Sequence, residues 1–423
     1  SEQARADIAA LGAWVLEHEL PEEHTTHWWR DDLPPNLAAA YQRIAESDEI
    51  KAAFRERFGD DIEVQVVARM NEVYVASSKP KLTSDTVFYM SHIDGPWTIW
   101  PGASVFRCMV GITPNQRVRT HFPMDGATYG DPRTVVIDQG DFAGFDYNRE
   151  LHYITEDPSV LADVRRVNLK LHYAVSRKPL AWWARLKGDA SGWYNEHARQ
   201  LFLDTIAPKT LRERLGAASV LGTTRSFELM ERFAGGFNLL FVALAGLAAW
   251  ASGSLALFIA LTGFVHYALY ISVFAHRRDI AHGRFVRNAL FWKTVSYTTL
   301  GAVYLANFTF DPVSLALIVA GFGTTMLATR ALGLERTYFG VELGRVAPER
   351  VSAFPYGVLP HPMILGGVVG LLGLHAMTGF REALPWVVPV HCALYLVHVV
   401  QEELDTRRRR AELQAVDAER AEG

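Results

Sequence analysis

Cysteine is nearly missing from this sequence: 423 residues hold only Cys108 and Cys392, one in each half. Two such distant thiols build no disulfide framework, which places the soluble part of the chain in a reducing compartment. An excess of one charge is missing too. With 42 Lys and Arg against 46 Asp and Glu, the formal charge is -4, so there is no basic surplus and nucleic acid is not an expected partner. The opening stretch SEQARADIAALGAWVLEHEL lacks the basic start and apolar middle of a signal peptide and reads instead as an acidic amphipathic helix. Beyond Phe237 the scarce commodity is charge itself. Apolar residues gather there into long blocks, whereas before Gly235 charged residues occur throughout.

Crossing the hydrocarbon layer takes roughly 20 apolar residues. Six segments approach that length: Phe237–Trp250, Leu255–Ala275, Phe291–Phe308, Val313–Leu332, Val358–Met377 and Trp386–Val400. Basic residues gather on one side of the set. Lys209, Arg212, Arg214, Arg225 and Arg232 precede the first segment. His276, Arg277, Arg278, Arg284, Arg287 and Lys293 lie around the second connection, Arg330, Arg336, Arg345 and Arg350 around the fourth, and Arg407 to Arg410 follow the last. The alternate connections, 251–254, 309–312 and 378–385, hold a single basic residue, Arg381. The positive-inside rule then predicts an all-α polytopic membrane domain of about six spans over 236–405, with both termini cytoplasmic and a charged tail at 406–423.

The first half carries a different rhythm. Residues 1–60 read as helical from the spacing of Ile8, Leu11, Trp14 and Val15. From Asp61 to about residue 180, short β-branched runs punctuated by Gly, Pro and Asn predict a β-sandwich or barrel. The runs are 62–68, 73–77, 87–90, 104–112, 134–138, 151–155 and 167–175. Residues 181–235 read as a helical connector whose Trp182, Trp183, Trp193 and Tyr194 suit a membrane interface. Within the β region stand His92 and Asp94, one residue apart, and the distant His152. Two imidazoles and a carboxylate can bind Fe(II) and leave positions open for oxygen and a co-substrate. Arg165 and Arg166, opening the last strand, are suited to clamp a carboxylate. His121 is a further candidate within reach of such a centre.

Four segments of this region, Ser91-His-Ile-Asp-Gly-Pro96, Ser104-Val-Phe-Arg-Cys-Met-Val-Gly-Ile-Thr113, Gly140-Asp-Phe-Ala-Gly-Phe145 and Leu151-His152, together resemble the aspartyl/asparaginyl β-hydroxylases. The resemblance implies a double-stranded β-helix (jelly-roll, cupin-like) oxygenase using Fe(II) and 2-oxoglutarate, in a group that includes hydroxylases of lipid A and ornithine lipids. It implies His92 and His152 as iron ligands and Arg107 with Arg165 or Arg166 as 2-oxoglutarate contacts. Asp94 as third ligand rests on spacing alone.

In the second half, Arg336-Thr-Tyr-Phe-Gly340, then Phe354-Pro-Tyr-Gly357, Pro360-His-Pro-Met-Ile-Leu-Gly-Gly367 and the pair Glu402-Glu403 resemble the phospholipid N-methyltransferases and isoprenylcysteine methyltransferases. Pro360 stands where many members carry arginine, and Ile364 where many carry tyrosine. The resemblance implies S-adenosylmethionine at the cytoplasmic membrane face, held by His361, Gly366, Glu402 and Glu403. Glycine at 366 would let a cofactor approach the backbone. The combined expectation is a bifunctional enzyme that hydroxylates and methylates a membrane lipid or lipid-like amine. Two alternatives stay open: an iron hydroxylase whose membrane half is only an anchor and lipid groove, and a non-enzymatic lipid-binding scaffold.

Overall fold

The computed structural model describes residues 1–18, 26–75, 90–125, 132–157, 159, 165–205, 208–275, 281–347, 349 and 351–422. Most of the strand expected at 87–90, and His276, Arg277, Arg278 and Arg350 of the charge argument, lie outside them. Two compact units emerge, one built on Ser1–Met124 and Pro132–Phe237, the other on Asn238–Gly423.

The first unit opens with helices α1 (Glu2–His18), α2 (Pro35–Ala45) and α3 (Asp48–Phe58). Proline at the first position of α2 and Ser47, whose hydroxyl accepts from the Glu49 amide at 3.2 Å, fix where the latter two begin. Nine described strands follow the chain: β1 (Thr26–Trp28), β2 (Ile62–Val66), β3 (Glu72–Val75), β4 (Ala103–Gly111), β5 (Val118–Phe122), β6 (Arg133–Val136), β7 (Phe142–Asp146), β8 (Tyr153–Glu156) and β9 (Val167–Arg177). One sheet runs β1-β3-β9-β4-β7, with β2 also paired to β9; the other runs β6-β5-β8. Every pairing is antiparallel.

Strand β9 explains the layering. Successive side chains point to opposite faces of a strand. Val167, Leu169, Leu171, Tyr173 and Val175 join Val73, Val75, Cys108 and Val110 in a core closed by Leu11, Val15, Tyr41, Ile44 and Phe54 of the three helices. The opposite face carries Asn168, Lys170 and His172, all buried and all polar. Met109 and Phe145 of the larger sheet meet Phe122 of the smaller one and Ile137 beyond it, so the second sheet covers part of this polar face.

Sequence reasoning placed most strands within a residue or two, but assigned none to 26–28, 118–122 or 142–146. The first lies inside the segment expected to be wholly helical and pairs with β3. The expected connector is also more than a connector. Its helix α4 (Ala181–Thr205) packs on the β-domain: Ala184 shares a core with Val67, Val105, Tyr147 and Ala174, and the Lys187 ammonium donates to the Ala103 carbonyl at 2.9 Å. A second helix, α5 (Leu211–Phe233), starts at a Thr210–Glu213 capping box.

In the second unit each expected apolar segment contains a helix, although the one expected from Val358 begins only at Pro362 and the one at Leu255–Ala275 is broken in two: α6 (Gly236–Ser252), α7 (Leu255–Thr262), α8 (Val265–Ala275), α9 (His282–Ala306), α10 (Pro312–Leu332), the short α11 (Leu334–Thr337), α12 (Pro362–Ala376), α13 (Thr378–Ala383) and α14 (Val387–Glu422). Among the described residues, two stretches, Leu255–Phe274 and Pro312–Leu332, are long and apolar enough to cross a membrane by themselves. Leu211–Phe233 with Gly236–Ser252 makes a third if that bent pair is one span, and Pro362–Ala376 is apolar but shorter.

Glycines set the tightest packing here. A Cβ on Gly321 of α10 would lie 2.1 Å from the Gly370 nitrogen, and one on Gly366 would lie 2.6 Å from the Gly321 carbonyl oxygen. The close approach that glycine allows at 366 is therefore to α10, a helix–helix contact of small residues. Gly366→Ala should force the helices apart and cost about 1–3 kcal/mol, the usual price of overpacking. A lowered unfolding temperature of the detergent-solubilised protein reads it, and an unchanged one would contradict the packing described.

Candidate functional site

The polar face of β9 leads to the first site. His92 and His152 face each other across an isolated antiparallel bridge in which each backbone amide donates to the other's carbonyl at 3.0 Å. Each imidazole also donates from Nδ1 to the carbonyl two residues before it, His92 to Met90 at 2.8 Å and His152 to Glu150 at 3.1 Å. With Nδ1 donating, the Nε2 lone pairs are left facing inward. His92 Nε2 lies 3.7 Å from Asp94 Oδ1, and His152 Nε2 lies 3.6 Å from Asp94 Oδ2. Potential ligand atoms of the three residues all fall within 4.8 Å of one another.

Charge states suit a cation. Burial holds both imidazoles below their ordinary range, His152 at about 3, so both are neutral at pH 7. Burial pushes the Asp94 carboxyl up, but Arg107 and then the two histidines outweigh it and hold it below the ordinary carboxylate value. Two neutral imidazoles beside an ionised carboxylate are the donor set that an iron centre needs, and the residues fit the ion.

Arg107, expected to contact a co-substrate, lines the same cavity and is engaged by its protein neighbours. Its Nη1 forms an ion pair with Asp94 at 2.8 Å, its Nε donates to His172 Nε2 at 2.9 Å, and its guanidinium lies over the Tyr147 ring at 4.8 Å. His172 is held in turn by Asn71, whose side-chain oxygen accepts from the His172 amide at 2.7 Å. Arg107 thus keeps Asp94 ionised and aligned. The cavity above the three ligands is also walled by Phe145, Arg166 and Lys170. Arg165 is not part of that wall, and its carbonyl accepts from Thr113 at 2.6 Å. Arg165 and Arg166 both precede β9, and of the two Arg166 lines the wall; on β5, alternation separates Thr120, which lines the cavity, from His121. The His121 ring is tied between the Thr134 and Thr155 hydroxyls at 2.8 and 2.7 Å and stacks on Tyr153. His121 does not join the site.

Behind the cavity lies a buried charge cluster that motif reasoning missed. Glu72 forms ion pairs with Lys170 at 3.2 Å and with Arg199 of α4, and His27 Nδ1 lies 3.3 Å from it. Burial lowers Lys170 to about 7 in spite of Glu72, and its ammonium sits 3.7 Å from the centre of the Tyr74 ring. One signal was available: Asn168, Lys170 and His172 interrupt an otherwise apolar strand at every second position.

In the second unit, His361 caps α12 in the left-handed region, at φ 41° and ψ 53°. Proline follows it, and a residue before proline is normally extended, so the conformation is strained. The ring is held toward α14, with Nδ1 3.6 Å from Glu402 and Nε2 3.6 Å from Glu403. His398, one turn earlier, reaches Glu402 at 3.3 Å. The structure brings His361, Glu402 and Glu403 together as expected. His361 and Glu402 line a cavity with Arg336, Thr337, Tyr356 and Ile364, and the Gly366 backbone lies elsewhere, against α10. Deeper in this unit His391 pairs with Tyr267, whose hydroxyl lies 3.0 Å from Nδ1.

Residues 312–409, from α10 into α14, match the phospholipid methyltransferase family. A domain of that family implies S-adenosylmethionine as methyl donor and a lipid as substrate. No curated protein matches the chain.

Proposed function

We propose that this chain is a two-site membrane enzyme in which the second unit methylates the amine of a lipid and the first unit hydroxylates the same or a related molecule. Six spans and cytoplasmic termini belong to this reading, supported by the distribution of Lys and Arg. The observation that carries the oxidative half is the convergence of His92, Asp94 and His152 with both Nδ1 atoms tied back to the backbone.

Strand order supports a double-stranded β-helix. One sheet contains β3-β9-β4-β7, and the bridge at 92 extends the other beyond β8, so the chain passes repeatedly from sheet to sheet. Bound at the three ligands, iron would supply oxygen activation coupled to oxidation of 2-oxoglutarate. The protein's share is geometric and electrostatic. The paired backbone bridge fixes the imidazoles relative to each other, Arg107 holds Asp94 ionised, and Arg166 and Lys170 bring positive charge to a cavity that must accept a dicarboxylate.

For the methyl step, His361, Glu402 and Glu403 are the groups suited to hold the cofactor's ammonium end, and alignment of an already activated methyl sulfonium with the amine supplies much of the rate. Ile364, in the cavity wall where relatives of this motif often carry tyrosine, favours the second reading, an anchor without transfer activity.

Mass spectrometry of lipids from cells with and without the gene tests both halves. A lipid gaining methyl units and one oxygen is expected. His92→Ala should abolish only the oxygen, and Glu402→Gln with Glu403→Gln only the methyl units. Loss of neither in the paired variants would overturn the site assignments, and an oxygen shift alone would favour the anchor.

A further inference from the structure

The methyl-transfer cavity does not stop at the acidic pair. It runs inward between helices to Tyr395 of α14, seven residues or about 10 Å of helix from Glu402, and to Lys293 of α9 and His266 of α8. His266 is 1 % exposed, yet neither ring nitrogen has a hydrogen-bond partner among the described residues. A buried imidazole left unpaired on both sides is costly and calls for an explanation. Its surroundings are aromatic and polar: Tyr267 and Tyr270 on its own helix, Tyr297 and Lys293 on α9, His391 on α14. No carboxylate is among these neighbours.

We propose that His266 is the catalytic base of the methyl-transfer site and that its substrate is a lipid primary amine arriving as its ammonium ion. This assignment rests on the methyltransferase reading of residues 312–409. A primary alkylamine near pKa 10 is almost wholly protonated at pH 7 and has no lone pair to offer. His266 takes one proton from the ammonium nitrogen. The freed lone pair forms the N–C bond to the methyl carbon of S-adenosylmethionine, the C–S bond breaks toward sulfur, and S-adenosylhomocysteine leaves as a neutral thioether. The product is a methylammonium headgroup, and the proton on His266 returns to water through the open end of the cavity. Tyr267, Tyr270, Tyr297 and His391 do not compete for that role: the tyrosines are weak acids, and His391 is already engaged with the Tyr267 hydroxyl.

The test uses full-length protein in nanodiscs, labelled S-adenosylmethionine, and two probes: phosphatidylethanolamine and its aminooxy (O-alkylhydroxylamine) headgroup analogue, whose nitrogen is already neutral at pH 7. His266→Gln should bind S-adenosylmethionine like wild type but methylate phosphatidylethanolamine at least about 100-fold more slowly, within the range of a lost general base. Its deficit should largely vanish with the analogue, which has no proton to give up. An equal loss with both probes, or a rate within twofold of wild type, overturns the assignment. If the variant does not retain the cofactor, wild type decides through its pH profile: an acidic limb with phosphatidylethanolamine that is missing with the analogue is expected, and identical profiles refute the base. A wild type that transfers no methyl group to either probe removes the methyltransferase reading itself, a result distinct from failure of His266.

Discussion

A His152→Ala variant should leave purification without bound iron and lose oxygenase turnover by more than the ~10–100-fold that follows loss of a ligand's own hydrogen-bond partner. The expectation follows from how few donors converge. With His152 gone, His92 and Asp94 supply two ligand atoms, and the other ionisable residues in the cavity wall are Arg107, Arg166, Lys170 and Tyr74, whose ring is covered by the Lys170 ammonium. None of these can take the missing place. His121→Ala is the matched control. Its ring is bound between two threonines on the far side of β5, so iron content should equal that of wild type. Metal analysis of both proteins after anaerobic reconstitution, with circular dichroism to confirm the β-domain, is sufficient. Equal iron in His152→Ala and wild type would remove the iron centre from the account.

Glu72→Gln should be the most damaging single change to the stability of the first unit. Glu72 is 2 % exposed and compensates Lys170, Arg199 and His27 together. Neutralising it leaves cations buried without a counter-charge, and breaking a buried pair in this way costs about 3–5 kcal/mol. The pH dependence has a definite sign. Burial opposes ionisation of Glu72, but Arg199, His27 and Lys170 overcome it and set the folded carboxyl well below its ordinary 4.5. The stabilisation is therefore complete above about pH 4.5 and is lost as pH falls toward the folded value. Denaturant unfolding should show the full gap between variant and wild type at pH 7, narrowing below pH 4.5. A gap that widens on acidification would contradict the cluster.

The difference between what the sequence disclosed and what it hid follows the range of each interaction. The motif disclosed three residues that the fold brings together, His92, Asp94 and His152. The apolar blocks likewise marked the helices of the second unit, since a long run without charge has few other uses. Arg107 was noticed as a cation, but its task was invisible: nothing local shows that β4 sets it opposite His172 and in reach of Asp94. Glu72, His27 and Arg199 come from β3, β1 and α4, and only the folded chain brings them to one point. His121, and Arg165 of the Arg165-or-Arg166 pair, stand outside the cavity wall for the converse reason. They neighbour cavity residues in sequence, and on β5 a one-residue step sends a side chain to the other face. The glycine at 366 was legible as a close approach, though not as an approach to Gly321.

Strand β9 also acts as a record of ancestry. Val167, Leu169, Leu171 and Val175 answer to volume and can drift among aliphatic residues while the sandwich persists. Its even positions are tied to partners elsewhere, Lys170 to Glu72 and His172 to both Arg107 and Asn71, so they change together or not at all. A lineage that lacked the proposed oxidative reaction while keeping the scaffold would retain Val167, Leu169 and Leu171 and shed the polar residues between them. Eleven residues of any related chain would then be enough to tell a working copy from a relic.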